Sequence, residues 1–176
     1  MKLYDALGIA PTLALDLEDA KKRFYERSRQ WHPDRFSRAG AEEQDRALEM
    51  TAVLNDAFRT LRDPVSRAEY FLKERGLELS KDAPPELLEE VFELNMALEE
   101  LHEGDESARA QLVEAGARFG TMLAAADSEL SGLFARYDTA PESTTLDQIR
   151  ATLNRRRYVA NLVRDVEKEL HVHSAN

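Results

Sequence analysis

Cysteine is absent from the 176-residue chain, which excludes disulfides, thiolate metal sites and a cysteine nucleophile together. Glycine and proline are scarce, at seven and six residues, so a turn-rich β fold is not expected and long uninterrupted helices are. Nowhere do about 18 apolar residues run together, as a membrane-spanning helix requires. The opening Met1-Lys2-Leu3-Tyr4-Asp5 has no apolar signal region, and a cytosolic protein that does not engage membranes is the expectation. Positive charge is in deficit. A net charge of −10 argues against general nucleic-acid binding, which draws on an electropositive surface.

What is present is an ordinary complement of apolar residues, 43%, with 33% charged, which over this length suffices for a real core. The charges are unevenly placed. Residues 21–38 carry seven basic groups (Lys21, Lys22, Arg23, Arg27, Arg29, Arg35, Arg38) against Glu26 and Asp34, a net +5. Residues 82–106 carry ten acids and no lysine or arginine. Such segregation favours two different partner surfaces over one catalytic cleft; the plainer reading is two solvated helix faces.

Apolar spacing predicts an all-α chain. Tyr4 to Ile9 reads as a short helical turn ended by Gly8. A stronger helix opens after Asp16, a suitable N-cap, with Leu17, Ala20, Phe24, Ser28 and Trp31 on its buried face. Lys21, Lys22, Tyr25 and Arg29 then point outward. Ala41 to Arg62 repeats the pattern through Ala47, Met50, Leu54, Ala57, Phe58 and Leu61, and Asp63 caps a further short helix containing Arg67, Ala68, Tyr70, Phe71 and Leu72. Breakers and polar residues from Gly76 to Pro85 mark a boundary. Three helices follow, near 85–101, 105–137 and from the Pro141 turn to about Leu170. In the second, Ala108, Leu112, Ala115, Phe119, Met122, Ala126, Leu130, Leu133 and Tyr137 advance by threes and fours, as in a bundle. Short connections predict antiparallel packing, and Ile149, Leu153, Ala160 and Val163 are the expected core face of the last helix.

The basic segment ends at Trp31-His32-Pro33-Asp34. A residue before proline is pushed out of the α region, so the helix must stop and display an imidazole and a carboxylate on a short rigid loop. His32 and Asp34 could serve as an acid–base pair, but no suitable serine, cysteine or glycine-rich phosphate loop accompanies them. Simple capping of helix ends is the structural alternative. His171 and His173 lack carboxylate or thiolate companions for a metal and read as cations at a helix C-terminus; no cofactor is expected.

Together with Tyr4-Asp5-Ala6-Leu7-Gly8-Ile9, Leu54-Asn55-Asp56-Ala57-Phe58 and the closing Leu61-Arg62-Asp63-Pro64-Val65-Ser66-Arg67-Ala68-Glu69-Tyr70, this loop makes residues 1–72 resemble a J-domain. The resemblance implies a non-enzymatic co-chaperone that stimulates ATP hydrolysis by an HscA/DnaK-class heat-shock chaperone. His32, Pro33 and Asp34, with Lys21, Lys22, Tyr25 and Arg29, would form the chaperone-binding surface. Exposed lysines and arginines there steer association and register more than they supply affinity.

The helix Leu87 to Leu101 carries two apolar stripes. At about 100° per residue, Leu87, Val91, Leu94, Leu98 and Leu101 share one line that should face the bundle. Leu88, Phe92 and Met96 form a second, flanked by Glu89, Glu93 and Glu100. An apolar strip edged by acids suits docking, whereas packing of that strip against another helix is the alternative. Tyr158 falls nearly opposite the expected core face of the last helix, either completing the same patch or lying on the surface with its hydroxyl wet.

Over nearly its whole length the chain resembles the HscB-type J-proteins, whose C-terminal three-helix domain binds the iron–sulfur scaffold IscU. Residue by residue, the resemblance implies scaffold contacts at Leu88, Glu89, Phe92, Glu93, Met96, Glu100 and Tyr158. Glu89 stands where a methionine is common in the family and Met96 where an acid is common. The cysteine-rich metal module of some eukaryotic members has no counterpart, which suits a bacterial-type cytosolic protein. The expected organisation is a J-domain over 1–75, a linker over 76–84 and a client-binding three-helix domain over 85–176. A J-protein serving a different client and a non-catalytic helical regulatory protein are the other readings.

Overall fold

The computed structural model describes residues 2–80 and 82–172, and every regular element among them is helical. In chain order these are α1 (Leu3–Leu7), α2 (Leu17–Gln30), α3 (Ala41–Arg62), α4 (Pro64–Lys73), α5 (Leu88–His102), α6 (Ala108–Thr139) and α7 (Ser143–Val172), with single 3-10 turns at Pro33–Phe36 and Pro85–Leu87. They form two compact units, Met1–Leu77 with Tyr137–Ala140, and Glu78–Arg136 with Pro141–Asn176.

In the first unit, α3 is the central helix, with α1, α2 and α4 against it. The helix starts follow from side-chain caps. The Asp16 carboxylate accepts from the backbone N–H of Glu18 and Asp19 at 3.0 and 3.1 Å, and Asp63 accepts from Ser66 N–H at 2.7 Å ahead of Pro64. Gly8 ends α1 in the left-handed region at φ 66°, and a side chain there would meet the Arg27 guanidinium. Arg23 donates to the Gly8 carbonyl at 2.8 Å. Arg23 and Arg27 therefore face back onto the end of α1 instead of joining the outward cations of α2.

The expected buried face of α2 is cut short. Ala20 is buried and Phe24, Ser28 and Trp31 are half-buried, but Leu17 is exposed. The Phe24–Phe58 stack (4.5 Å) and the Thr51 hydroxyl on the Trp31 carbonyl (3.1 Å) set an antiparallel register between α2 and α3. That register carries the first turn of α2 past the end of α3 at Arg62, so nothing on α3 is opposite Leu17.

Polar groups are also built into this unit. Buried Arg67 donates to the carbonyls of Leu13 (2.9 Å) and Leu61 (2.6 Å). Burial pulls its pKa below the usual arginine range, against the opposing influence of Tyr4, Asp63 and Asp138. The Asp138 carboxylate accepts from Leu13 N–H, Ala14 N–H (2.7 Å) and the Thr12 hydroxyl, while Tyr137 meets Phe71 edge-on at 5.6 Å. Tyr4 donates its hydroxyl to the Thr12 carbonyl at 2.6 Å.

The second unit is an up–down–up bundle. Arg156 pairs with Asp127, Thr152 donates to Glu129 at 2.9 Å and Arg136 donates to Thr145 at 3.2 Å, which together make α6 and α7 antiparallel. His102 on Glu169 at 3.0 Å aligns α5 parallel to α7. The core joins Leu87, Leu94, Ala97 and Leu101 of the first helical segment to Leu112, Ala115 and Phe119 of α6 and Val159, Leu162 and Val166 of α7. Residues 78–84 belong to this unit. Asn154 donates to the Asp82 carbonyl at 3.4 Å and Arg157 donates to that of Ser80, so this part of the expected linker is fastened to α7.

On α7 the expected core face needs correction. Ile149 and Leu153 are buried, but Ala160 and Val163 are half-buried, and Val159, Leu162 and Val166 are the core residues instead. The true face follows the seven-residue series Thr145, Thr152, Val159, Val166, all of it buried. Its first two members are threonines, bonded to Arg136 and Glu129, and a reading that counts only apolar residues passes over them.

Burial pushes the Tyr4 phenol well above its ordinary value. A group whose folded-state pKa is raised stabilises the fold below the unfolded value, about 10 for tyrosine, and that stability is lost as pH climbs above it. Tyr4→Phe is expected to cost about 0.5–1.5 kcal/mol at neutral pH through the lost hydrogen bond. It should also lose less stability than the parent between pH 8 and 11. Urea unfolding across that range tests this, and equal alkaline losses in the two proteins would count against it.

Candidate functional sites

The first site is built by Pro33. His32 takes the extended conformation (φ −62°, ψ 128°) demanded before proline, α2 stops, and Pro33–Phe36 coils into a single 3-10 turn. The expected loop is thus partly helical. The Asp34 N–H donates to His32 Nδ1 at 3.3 Å. With Nδ1 accepting, the hydrogen-bond network assigns the proton of a neutral ring to Nε2, where it is a free donor. The Asp34 carboxylate is 3.6 Å from the same Nδ1, and both side chains are exposed.

Beneath the turn, Trp31 and Phe36 stack with ring centroids 5.8 Å apart and planes 9° from parallel, and the Arg46 guanidinium lies 5.8 Å from the Trp31 ring. Arg35 donates to the Arg29 carbonyl at 3.4 Å. The turn is therefore propped from both flanks. Lys21, Lys22, Tyr25 and Arg29 are all exposed on α2, as their spacing predicted. His32 does cap the turn, but capping uses only Nδ1. Among the described residues no cluster of three histidines, aspartates or glutamates is placed to hold a metal, and His173 lies outside them.

The second site is α5. Its core stripe is filled by Leu87, Leu94 and Leu101, with Ala97 buried beside them and Val91 and Leu98 half-buried against the same cluster. Leu88 (56% exposed), Phe92 (66%) and Met96 (45%) are left in solvent, so the alternative of a second packed face is not what the bundle adopts. Glu89 is exposed and Glu100 half-buried. Glu93 reaches across to α6 and pairs with Arg118 at 2.9 Å.

The seven scaffold candidates do not form one patch. Phe92, Glu93 and Met96 line a groove of about 370 Å³ whose far wall is Gln111, Glu114, Ala115 and Arg118 of α6. Tyr158 lines a different groove, on the α7 flank, with Val91, Asn95 and Leu98. Contrary to expectation, Tyr158 is not opposite the core face. It is half-buried and packed against the core cluster, beside fully buried Val159. This follows from the seven-residue face of α7, which brings position 158 to the edge of the interior. The sequence reading also missed Arg118, which looks like any solvated cation until Glu93 is placed beside it.

Comparison with known proteins agrees in both halves. The family model described as DnaJ domain matches residues 2–70, and the one described as HSCB C-terminal oligomerisation domain matches residues 83–167. The co-chaperone protein HscB homolog of Vibrio vulnificus strain YJ016 is 28% identical over 175 residues, covering 95% of each chain. That of Shewanella halifaxensis is 29% identical over 156 residues, covering 85% of this chain and 88% of its own. Among solved structures, chaperone HscB from Vibrio cholerae superposes with a TM-score of 0.66 at 27% identity, over 96% of each chain. Human co-chaperone HscB shares the fold, with a TM-score of 0.67 at 22% identity over 96% of this chain and 82% of its own.

The two stripes of α5 separate cleanly by mutation. Phe92→Ala should change stability by less than about 0.5 kcal/mol, as an exposed site does. Phe119→Ala, which empties the bundle interior, should cost about 3–5 kcal/mol. Urea denaturation followed by circular dichroism measures both, and a costly Phe92→Ala would mean that the stripe is not free.

Proposed function

Since the chain belongs to the HscB family of J-domain co-chaperones, which act in iron–sulfur cluster assembly with an Hsp70-type chaperone, we propose that it stimulates an HscA-class ATPase and delivers the scaffold IscU to it. The observation that carries the reading is the pairing, in one chain, of an exposed His32-Pro33-Asp34 turn beside a cationic helix with an exposed apolar strip edged by acids. Neither surface breaks or forms a covalent bond in this chain.

In the first half, Lys21, Lys22 and Arg29 pair with carboxylates of the chaperone and set the register of docking. The propped turn then offers the His32 Nε2 donor and the Asp34 carboxylate as specific contacts, with Tyr25 adding a large amphipathic surface. A ligand shifts a conformational equilibrium only through differential contacts with the two states, so these groups act by fitting the hydrolysis-competent form of the chaperone better than the resting form.

In the second half, Leu88, Phe92 and Met96 dock against apolar residues of the scaffold while the neighbouring glutamates meet its cations. Burial of one such side chain contributes about 1.5–3 kcal/mol before ordering costs. One chain holding both partners raises the effective concentration of client at the chaperone, by the same arithmetic that governs any tethered pair.

Two experiments test the halves separately. His32→Gln should abolish stimulation of the chaperone ATPase while leaving the circular dichroism spectrum unchanged; retained stimulation would reject the first half. The double variant Leu88→Ala/Phe92→Ala should lose the iron–sulfur scaffold, identified by mass spectrometry, from a native-lysate pull-down. It should keep ATPase stimulation in the absence of client. Undiminished scaffold recovery would point to another client surface.

A further inference from the structure

The acids around the exposed strip of α5 are not equivalent. Glu89 is exposed and makes no ion pair with a described lysine or arginine, whereas Glu93 is bound to Arg118 of α6 at 2.9 Å. That pair crosses the groove whose α5 wall carries Phe92 and Met96. Both partners are about half exposed, 48% for Arg118 and 53% for Glu93, so the bond sits in solvent at the groove rim. Arg118 is the one cation among the described lining residues, against the carboxylates of Glu93 and Glu114.

We propose that Arg118 is an internal competitor for the client: in the free protein it occupies the Glu93 carboxylate that a basic side chain of the docked scaffold takes over. The occupant of the α5–α6 groove is then a scaffold segment carrying a lysine or arginine next to apolar residues that cover Phe92 and Met96. The inference rests on the scaffold-binding reading above and extends it from α5 onto α6.

The magnitudes suit an exchange of this kind. An ion pair exposed to water is worth little, because solvent screens it and two long side chains must be ordered to make it. Displacing Arg118 therefore costs the client little, and the freed guanidinium returns to water with its charge hydrated. The arrangement also yields selectivity. A segment without a cation would leave the Glu93–Arg118 bond in place across the groove, or break it with no new ion pair in return. A cationic segment replaces one ion pair by another in a site that is drier once the apolar contacts close, where the new pair is stronger. Arg118 thus gives a basic, apolar partner a modest preference over an uncharged one, of the size that an exposed ion pair supplies.

The test is a binding cycle on the full chain with the purified cluster-free scaffold protein, measured by isothermal titration at low and physiological salt. Arg118→Gln should tighten binding by about 1.5- to 5-fold at low salt, the span that an exposed pair supplies, and by less at higher salt. Glu93→Gln should weaken binding. In the double variant the gain from Arg118→Gln should vanish, because the carboxylate for which Arg118 competes is gone. Thermal unfolding of Arg118→Gln should match the parent, which separates competition from a structural role. Unchanged or weakened binding in Arg118→Gln, with Phe92→Ala still abolishing the complex, overturns the competitor role and leaves the docking surface intact. An ineffective Phe92→Ala overturns both.

Discussion

A helix lying against two others can bury only the arc of its surface that faces them, and α5 carries more apolar surface than that arc holds. Leu87, Leu94, Ala97 and Leu101 close the core. Leu88, Phe92 and Met96, four residues apart and therefore advancing by about 40° each, run outside it. Exposing them is unfavourable by roughly 25 cal/mol per Å² of apolar surface. The fold tolerates this because the other stripe is complete without them. A partner that covered the strip would recover that free energy, and the flanking glutamates keep the exposed strip hydrated in the free protein.

The first unit presents the opposite chemistry by a related economy of means. Pro33 halts α2, and the Trp31–Phe36 stack, the Arg46 guanidinium and the Thr51 hydroxyl brace the 3-10 turn beyond it. His32 contributes only its Nδ1 cap to the turn, and both the His32 and Asp34 side chains remain exposed. Support comes instead from groups deep inside, above all Arg67, whose two carbonyl bonds tie the Leu13 segment to the end of α3. Cations are sorted in the same way. Arg23 and Arg27 fold back onto the end of α1 at Gly8, and Lys21, Lys22 and Arg29 face solvent.

Much of this was legible beforehand, for local reasons. Asp16 and Asp63 act as caps because a short carboxylate before a helix has one set of orphan N–H groups in reach. The double stripe of α5 follows from periodicity alone. Other readings failed where the outcome depended on what lay opposite. Leu17 has core-like spacing but overhangs α3, and Ala160 and Val163 lost their place to a face that runs through two buried threonines. Tyr158 moved with that face to the other flank of α5. Glu93 flanks the second stripe by spacing, but only the packing of α6 puts Arg118 2.9 Å from it. Asp138, far along the chain from the Thr12–Ala14 segment it caps, offered no local signal at all.

Local order in the chain thus determined the helices, their starts and stops, the turn at Pro33 and the surplus apolar stripe, because each depends on residues within one or two turns of one another. Tertiary structure alone decided which polar groups are spoken for and which are free, and on which side of α5 each candidate lies. Those questions turn on helix register and rotation, set by packing between segments remote in sequence, to which no short-range pattern has access.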